Sequence, residues 1–412
     1  MDVRKTGLLI LGLFLFSGLV WGNGYHTAVT DTASLGQATG GITKLESSST
    51  AQDLPAAMTF LESGIHVMGG VLVASPQFTF KGEDGKDSTK IDPAEGIFVS
   101  VVKNFGNTAI GISQGFPFNN GLDWGEDFVG RRVISKVDLS IGNTSPVFAY
   151  RFGKISFGAG VDIYEGNVNL QRVALTINKD NEVRTELGGT GKGTGFNASF
   201  FLNDDQFSFG IQHHSPFTLH AGDAVSRFDT SDELAVQFSS TFPDGGVSAD
   251  LLLPSVTRFG FSVKNKAKDP DYLLELTITR TGWSNYRELK FDFKKPVAGS
   301  KTSVSPKNWH DTTSSAISGN YVFSRKGNNN MRVRAGMFSE PSPIPKDTLD
   351  GVTPDTTRLG YAVGFGMKRN RIMFDLAYLT ENFPEGSSTL EELPGKYSGH
   401  AQVFSASVGY HW

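Results

Sequence analysis

Residues 358–380 read RLGYAVGFGMKRNRIMFDLAYLT and contain two alternating segments joined by a short polar turn, Lys368-Arg369-Asn370. Large apolar residues occupy every second position, namely Leu359, Tyr361, Val363, Phe365 and Met367 before the turn and Ile372, Phe374, Leu376 and Tyr378 after it. Successive side chains of a strand point to opposite faces, so this pattern predicts an antiparallel hairpin with one apolar face. The opposite face is mostly small or polar.

Outward from this hairpin, similar segments recur from Gly64 to Trp412, and the connections between them alternate in length. Short turns are predicted at 103–107, 151–154, 203–206, 264–271, 325–330 and 368–371. Long connections are predicted at 81–95, 117–131, 176–185, 222–247, 295–309, 340–356 and 382–397. Short turns at one end and long loops at the other are typical of bacterial outer-membrane barrels. We therefore predict an all-β membrane protein, a 14-stranded antiparallel outer-membrane β-barrel over residues 64–412.

The composition agrees with a barrel and excludes two other classes of protein. Of the 412 residues only 38% are hydrophobic, and the mean hydropathy of −0.20 is too low for a bundle of transmembrane helices. Glycine (48) and phenylalanine (32) are abundant, as in barrels with many short strands. The chain has no cysteine, and its net charge of −4 leaves no basic excess for a nucleic-acid partner.

The N-terminus carries the features of a secretory signal peptide. Arg4 and Lys5 precede an apolar stretch, residues 7–20, and Gly22 is a small residue at the expected cleavage site. We predict a signal peptide over residues 1–22; a single N-terminal anchor helix is the alternative. Residues 23–63 are rich in Gly, Ala, Ser and Thr and do not read as strands. For these we predict an N-terminal plug, or hatch, inside the barrel, with a periplasmic tail as the alternative.

The chain ends on an alternating strand that closes with an aromatic residue. Val408, Tyr410 and Trp412 share one face of this strand. A terminal ring in this position fits the aromatic girdle of an outer-membrane barrel, and it resembles the C-terminal signal read by the barrel-assembly machinery. The alternative is an ordinary edge strand that ends in tryptophan by chance.

Four segments carry a resemblance to a known family. They are DLPAAM at 53–58, ISFGAGVDIYEGNVNLQR at 155–172, TGWSNYRELKFDF at 281–293 and FSEPSPIPKDTLDGVTPDTTRLGY at 338–361. In this order they resemble the outer-membrane long-chain fatty acid transporters, a family that includes aromatic-hydrocarbon importers. The resemblance implies a fourteen-stranded barrel with an N-terminal hatch and an apolar ligand site. It also implies a kink in the third strand, through which ligand leaves sideways into the bilayer. The family has Asn-Pro-Ala in the plug, where this chain has Leu54 in place of the Asn.

The resemblance also implies residues that contact ligand. A fatty acid needs a cation for its carboxylate, and the family motifs make Arg172 and Lys290 the candidates. For each of them, a charge on the rim of the barrel is the alternative. The family's long helical loop after the fifth strand corresponds to the short stretch 176–185 in this chain. We therefore expect a smaller outer capture site, or one built mainly from the loop 222–247 with Phe228 and Phe238.

Four residues are candidates for gating. Gly111, Gly115 and Pro117 lie along the predicted third strand and just beyond it. Because Gly and Pro weaken a strand ladder, they are compatible with an opening in the wall. A plain bulge or strand end is the alternative. Pro55, in the plug motif, is the fourth candidate.

The leading hypothesis for function is passive outer-membrane transport of hydrophobic compounds, such as long-chain fatty acids or aromatic hydrocarbons. A diffusion porin for polar solutes is the alternative, and it predicts an open, charged lumen without an ordered plug. An enzyme is not expected, because His213 and His214 are adjacent, point to opposite faces of a strand and belong to no catalytic motif. Expected partners are a hydrophobic small molecule, outer-membrane lipid, lipopolysaccharide and the barrel-assembly machinery. No cofactor and no metal is expected.

Overall fold

The computed structural model describes residues 24–27, 31–83, 85–91, 93–178, 181–230 and 238–412, with the backbone alone at 175–178 and 181. The predicted signal peptide, residues 1–22, lies outside these ranges. Within them, no helix combines the length and the apolar character needed to cross a membrane.

Nineteen strands in the described residues form a single antiparallel sheet. The first ten are β1 Gly64–Gly82, β2 Gly85–Ser88, β3 Ala94–Asn104, β4 Thr108–Asp123, β5 Lys136–Phe152, β6 Ile155–Asn178, β7 Asn181–Asn203, β8 Phe207–His214, β9 Phe217–Asp229 and β10 Gly245–Leu253. The others are β11 Ser255–Lys264, β12 Tyr272–Gly282, β13 Glu288–Val297, β14 Ser300–Pro306, β15 Thr312–Lys326, β16 Asn329–Glu340, β17 Arg358–Arg369, β18 Ile372–Ser388 and β19 Gly395–His411.

In the described part of the chain these strands make fourteen passes along the wall of a closed barrel, which confirms the predicted fold. Four passes consist of two strands each: β8 with β9, β10 with β11, β12 with β13, and β14 with β15. The short strand β2 pairs with the outer end of β1. Strand β19 returns to β1, from His66 opposite His411 to Lys81 opposite Lys396, and this pairing closes the barrel.

The alternation of the sequence determines which way each side chain points. In β17, Leu359, Tyr361 and Val363 are exposed on the outside, whereas Arg358 and Ala362 are buried inside. On the outer face of a membrane barrel, exposed apolar side chains lie against lipid rather than water. The apolar face of this hairpin is therefore part of the lipid-facing surface of the wall.

The six predicted short turns all lie at one end of the barrel. Five of them place a residue of positive φ at the reversal: Gly106 at 104°, Gly153 and Gly327 at 60°, Asp269 at 42° and Asn370 at 55°. Glycine adopts this conformation without steric penalty, and asparagine tolerates it better than most residues. The short turns mark the periplasmic end, and the long connections mark the outer end.

Two of the predicted long connections are strands. Residues 176–178 and 181–185 belong to β6 and β7, and residues 295–297 and 300–306 belong to β13 and β14. The prediction was wrong there because it relied on apolar alternation, which ends where the strands leave the lipid. Backbone hydrogen bonds continue to pair the strands beyond that level, where both faces can be polar.

Residues 31–61, called the plug from here on, fill the lower part of the lumen. They form two short helices, α1 (Thr32–Leu35) and α2 (Thr50–Asp53), and a 3-10 helix, Pro55–Phe60. Hydrogen bonds join the plug to wall strands on several sides, with partners that include Ser100, Ser156, Ser199, Glu275 and Ser405.

Buried ion pairs also hold the plug against the wall. Glu46 lies 2.5 Å from both Arg332 and Arg334 of β16. Arg334 in turn lies 2.7 Å from Asp375 of β18. A buried charge without its partner is strongly unfavourable, so each member of this group depends on the others.

Candidate ligand cavity and wall opening

Above the plug, the barrel encloses a cavity of about 680 Å³, called the outer cavity from here on. Its walls come from the outer parts of the strands and from the connections 124–135, 341–357 and 389–394. Aliphatic side chains dominate the lining and include Val168, Leu170, Leu187, Leu219, Val247 and Leu251. This volume and lining are typical of sites for apolar small molecules.

Two cations of the outer cavity differ in how their charge is balanced. Lys307 lies 3.0 Å from Asp350. Burial by itself would lower the pKa of Lys307, but the Asp350 carboxylate raises it above its usual value, so the ammonium group stays charged and paired. Arg172 also lines the cavity, and among the described residues no carboxylate lies within 4 Å of its guanidinium. Glu392, which also lines the cavity, attracts this charge from farther away, so protein groups balance it only in part.

Aromatic side chains form the floor of the outer cavity. Tyr25 lines the cavity, and its ring centroid lies 5.2 Å from that of Trp309, 6.0 Å from Trp283 and 6.2 Å from Tyr286. All four side chains are buried. Rings at these distances pack against one another, so the group closes the lumen beneath the cavity.

This aromatic group was not among the residues predicted from the sequence. Trp283 reaches the lumen because a 3-10 helix, Trp283–Asn285, interrupts the ninth pass between β12 and β13. The only signal in the sequence was the break in alternation at residues 283–287. The contribution of Tyr25 had no signal, because it depends on where the chain enters the barrel.

Residues 24–27, called the N-terminal segment from here on, connect this floor to the wall. Two backbone hydrogen bonds, of 2.7 and 2.8 Å, join residues 25–27 to residues 117–119 of β4 in antiparallel register. His26 lies opposite Phe118 between these bonds, with ring centroids 5.6 Å apart. The segment is thus held as a short added strand on β4.

A further contact ties the same segment to the outer connection 341–357. The backbone N–H of Gly24 donates to the carboxylate of Asp355 at 3.0 Å. Burial raises the pKa of Asp355 to about 7, because a charged carboxylate is poorly solvated at this depth.

The barrel wall is interrupted beside the N-terminal segment. Strands β3 and β4 pair only near the periplasmic end, from Asn104 opposite Ala109 to Val99 opposite Gln114. Farther out, residues 94–98 of β3 pair with β1, and residues 118–123 of β4 pair with β5, but the two stretches do not pair with each other. This interval, called the wall gap from here on, is bounded at its outer end by a backbone hydrogen bond of 2.8 Å from residue 90 to residue 123.

The three gating candidates of β4 have different surroundings. The register between β4 and β5 slips just after Gly115, so the break in the ladder falls at residues 116–117 and includes Pro117. Gly111 and Gly115 keep regular partners on β5. A side chain at Gly111 would collide with Met58 of the plug, and one at Gly115 would collide with Gln52. These two glycines therefore let the plug approach the wall closely.

Pro55, the fourth gating candidate, begins the 3-10 helix of the plug. A first helical position suits proline, because its missing N–H is not needed there. The next residue, Ala56, donates its N–H to Ser199 of β7 at 2.9 Å, and the Pro55–Ala56 backbone packs against Gly158 of β6. The structure thus brings Pro55 to β6 and β7 and not to the wall gap.

The two predicted ligand cations lie in different places. Arg172 of β6 lines the outer cavity. Lys290 of β13 is exposed and lies 3.0 Å from Asp292, whereas its neighbours Leu289 and Phe291 line the cavity. Because side chains alternate along a strand, Lys290 points to the other face of the wall.

Phe228 and Phe238 form an aromatic group with Phe242 at the outer end of the β9–β10 connection. The ring centroid of Phe242 lies 5.5 Å from that of Phe228 and 6.3 Å from that of Phe238. In the described part of the range 222–247, only Ala224 and Val247 line the outer cavity. The extended hairpin of β6 and β7 supplies much of the wall instead, since strands there continue above the membrane.

The three residues of the predicted assembly signal lie on the outer surface of β19. Val408, Tyr410 and Trp412 are 55%, 41% and 49% exposed. The rings of Tyr410 and Trp412 lie 5.4 Å apart at the periplasmic end, where an aromatic girdle belongs.

His213 and His214 point to opposite faces, as expected. The Nδ1 atom of His213 lies 2.8 Å from the Thr257 hydroxyl, and that of His214 lies 2.8 Å from the Asp162 carboxylate. The second ring nitrogen of His214 lies 2.8 Å from the Gln212 amide. The Asp162–His214 pair, which the sequence did not reveal, is therefore enclosed in a polar network.

The closed wall, the filled lower lumen and the outer cavity define a transport barrel of the bacterial outer membrane. The chain belongs to the family described as outer membrane protein transport protein (OMPP1/FadL/TodX), whose model matches residues 13–412. No curated protein sequence matches the chain.

Solved structures share this fold at low sequence identity. A Pseudomonas aeruginosa FadL homologue is 18% identical with a TM-score of 0.81, over 94% of this chain and 99% of that one. The Ralstonia pickettii toluene transporter TbuX is 15% identical with a TM-score of 0.68, over 92% and 98% of the two chains. The Pseudomonas putida toluene transporter TodX is 14% identical with a TM-score of 0.68, over 95% and 99%.

Proposed function

We propose that this protein carries hydrophobic small molecules passively across the outer membrane. The observation that carries the proposal is the aliphatic outer cavity of about 680 Å³, closed below by Tyr25 and its aromatic neighbours. Apolar ligand enters such a cavity because burial removes its surface from water. Two of the similar structures are of toluene transporters, and this supports an apolar ligand here as well.

In the proposed route, ligand passes from the outer cavity to the wall gap when the N-terminal segment moves aside. Both ends of the route touch this segment: Tyr25 lines the cavity, and His26 lies against Phe118 at the gap. Ligand then leaves sideways between β3 and β4 into the bilayer. An apolar molecule gains nothing from entering the aqueous periplasm, so lateral release follows the same driving force as entry.

The proposal includes several further predictions. Residues 1–22 are a signal peptide, and residues 23–63 act as the hatch. Arg172 meets the head group of an anionic ligand, while Val408, Tyr410 and Trp412 are read by the barrel-assembly machinery. The protein contacts lipopolysaccharide on its outer surface and catalyses no reaction. The porin alternative is not favoured, because the plug and its ion pairs occupy the lower lumen.

A reversible disulfide tests the route, because the chain has no cysteine of its own. In the variant His26→Cys with Phe118→Cys, the two cysteines lie directly opposite each other, and the backbone hydrogen bonds lie on either side of them. Such a non-hydrogen-bonded pair has the shorter Cα–Cα distance of the two antiparallel types, which suits a disulfide. We expect oxidation to stop uptake of oleate and toluene by proteoliposomes, and reduction to restore it. The matched control is Thr32→Cys with Ser405→Cys, whose hydroxyls lie 2.7 Å apart, and which ties the plug to β19 away from β4.

The control variant should transport equally well when oxidised and when reduced. Uptake at the wild-type rate by the oxidised 26–118 variant would exclude passage beside the N-terminal segment. A large, steady single-channel current from the full-length protein would instead support a porin.

A further inference from the structure

Cations are concentrated on two neighbouring short turns at the periplasmic end. One turn joins β15 to β16 and carries Lys326, and the other joins β17 to β18 and carries Arg369 and Arg371. The backbone N–H of Asn370 donates to the side chain of Asn329 at 2.7 Å, so the two turns touch. Lys326, Arg369 and Arg371, called the lower basic patch from here on, thus lie on two adjoining turns.

These three cations differ from their neighbours in lacking a carboxylate partner. All three are exposed, and in the residues that the structure describes no carboxylate lies within 4 Å of any of them. By contrast, the adjacent Arg325 lies 3.0 Å from Asp271. The lower basic patch therefore keeps its charge uncompensated, next to side chains of the same kind that are paired.

The lower basic patch borders directly on the lipid-facing surface. Arg369 lies opposite Ile372 in the sheet, Ile372 lies opposite Tyr410, and these two apolar side chains are 52% and 41% exposed on the outer wall. Arg371, which precedes Ile372, points to the other face and lines the periplasmic mouth of the lumen. Phe323, three residues before Lys326, is 49% exposed. A molecule that satisfies both features needs an anionic head for the cations and an apolar tail for the belt beside them.

We propose that the lower basic patch binds the phosphate of an anionic phospholipid in the periplasmic leaflet, of the phosphatidylglycerol class. Basic side chains at a membrane surface attract anionic lipids, and the guanidinium fork of arginine matches two oxygens of a phosphate. A soluble acidic protein would use the cations but not the apolar belt, so the position of the patch favours lipid. The short turns place this site in the leaflet opposite to the outer cavity, and it is independent of the proposed transport route.

Native mass spectrometry of the full-length protein tests the proposal. The protein in mild detergent is mixed with equal amounts of palmitoyl-oleoyl phosphatidylglycerol and phosphatidylethanolamine, and the retained lipids are counted. We expect phosphatidylglycerol to be retained preferentially, and its retention to fall about fivefold or more in the variant Lys326→Gln, Arg369→Gln, Arg371→Gln. The control variant Lys294→Gln, Lys295→Gln, Lys301→Gln removes three exposed cations at the outer end and should retain lipid as the wild type does.

Equal retention of the two lipids by the wild type would overturn the proposal, and so would unchanged retention in the patch variant. Heat-dependent migration in gels shows whether each variant has folded. If the patch variant does not fold, the wild type alone decides the question. Its preference for phosphatidylglycerol should weaken when salt rises to about 0.5 M, which screens exposed charges, and a preference that salt does not change contradicts an electrostatic site.

Discussion

The lower lumen and the outer cavity are two parts of one barrel interior that differ in what occupies them: the first is filled by the plug, and the second is hollow with a mainly aliphatic lining. In the lower lumen, Glu46 of the plug meets Arg332 and Arg334 of the wall. In the outer cavity the wall presents aliphatic side chains, and the space between them is not filled by protein. Separating the plug from the wall would leave buried charges unpaired, which is strongly unfavourable. An apolar molecule that enters the cavity is instead stabilised, because its surface is removed from water.

With a filled lower lumen and a hollow outer cavity, one barrel can be closed to ions and still accept a ligand. The plug occupies the lower lumen and is joined to the wall by ion pairs and hydrogen bonds, so we expect it to block water and ions. Between the two regions lies the aromatic floor around Tyr25, which is packed but carries no ion pair. We therefore expect movement at this boundary rather than within the ion-paired plug.

The largest effect is expected from removing the first part of the plug. Deletion of residues 23–45 takes away the N-terminal segment, α1 and the Lys44 ammonium that lies 3.4 Å from Asp31. The lower lumen should then open, so that planar bilayers show large, steady currents while uptake of hydrophobic ligand falls. Unchanged conductance and uptake together would show that these residues do not seal the barrel.

Glu46→Gln should weaken the lower lumen without touching the outer cavity. The substitution leaves Arg332 and Arg334 with less compensation, at an expected loss of about 3 kcal/mol of unfolding free energy. Urea unfolding in lipid vesicles measures this loss. The control is Glu165→Gln, which breaks an exposed pair with Lys192 and should change stability by less than about 1 kcal/mol. Equal losses for both variants would contradict the assigned role of the buried network.

Ala249→Trp should block the outer cavity without affecting the plug. Ala249 lines the cavity, and a large ring there takes the place of ligand. We expect uptake of oleate and toluene to fall about 30-fold, equivalent to about 2 kcal/mol of lost binding. The matched control is Ala159→Trp, which places the same ring on the lipid-facing side of β6. Normal uptake by the Ala249 variant would place the ligand elsewhere.

Arg172→Gln should separate anionic from neutral ligands. A hydrogen-bonded charge pair with a carboxylate contributes about 1.5 kcal/mol or more, so oleate binding should weaken about tenfold. Toluene has no charge, and its uptake should not change. The control Lys290→Gln removes a cation that faces away from the cavity and should leave both ligands unaffected. A tenfold loss with toluene as well would mean that Arg172 acts through the shape of the cavity.

The smallest effect concerns Asp355, which ties Gly24 to the outer connection. Its pKa is raised to about 7 in the folded protein, so the carboxyl binds a proton more tightly there than in the unfolded chain. The resulting contribution to stability is complete at low pH and is lost as the pH rises through 7. Between pH 6 and 8 the unfolding free energy should fall by about 1 kcal/mol more in the wild type than in Asp355→Asn. Parallel pH profiles for the two proteins would contradict this assignment.

Much of the barrel could be predicted from the sequence, because each strand within the membrane needs apolar side chains at alternate positions, where they face lipid. Apolar alternation, as in Leu359, Tyr361 and Val363, predicted the strands and their outward faces, and the spacing of polar turns predicted their number. This alternation does not identify strands that extend beyond the membrane. Residues 176–178, 181–185, 295–297 and 300–306 belong to paired strands that carry no apolar alternation, and for that reason they were mistaken for loops.

The candidate site could be predicted only in part. Arg172 was found because a family motif contains it, and the structure does bring it to the outer cavity. Lys290 came from the same kind of motif, yet it points to the other face of the wall. The 3-10 helix Trp283–Asn285 precedes β13, and the position at which the strand begins after this helix determines which of its residues face the cavity. Phe228 and Phe238 are aromatic and lie in a long loop, but they pack on Phe242 outside the cavity.

The sequence by itself thus determined the class of protein, the number of passes, and which faces meet lipid, since these follow from local alternation and connection length. Only the tertiary structure decided where the interior is filled and where it is hollow. The contacts that matter there join residues far apart in the chain, as Glu46 joins Arg334 and as residues 25–27 join 117–119. Such contacts arise from closure of the barrel around the plug, and no local pattern records them.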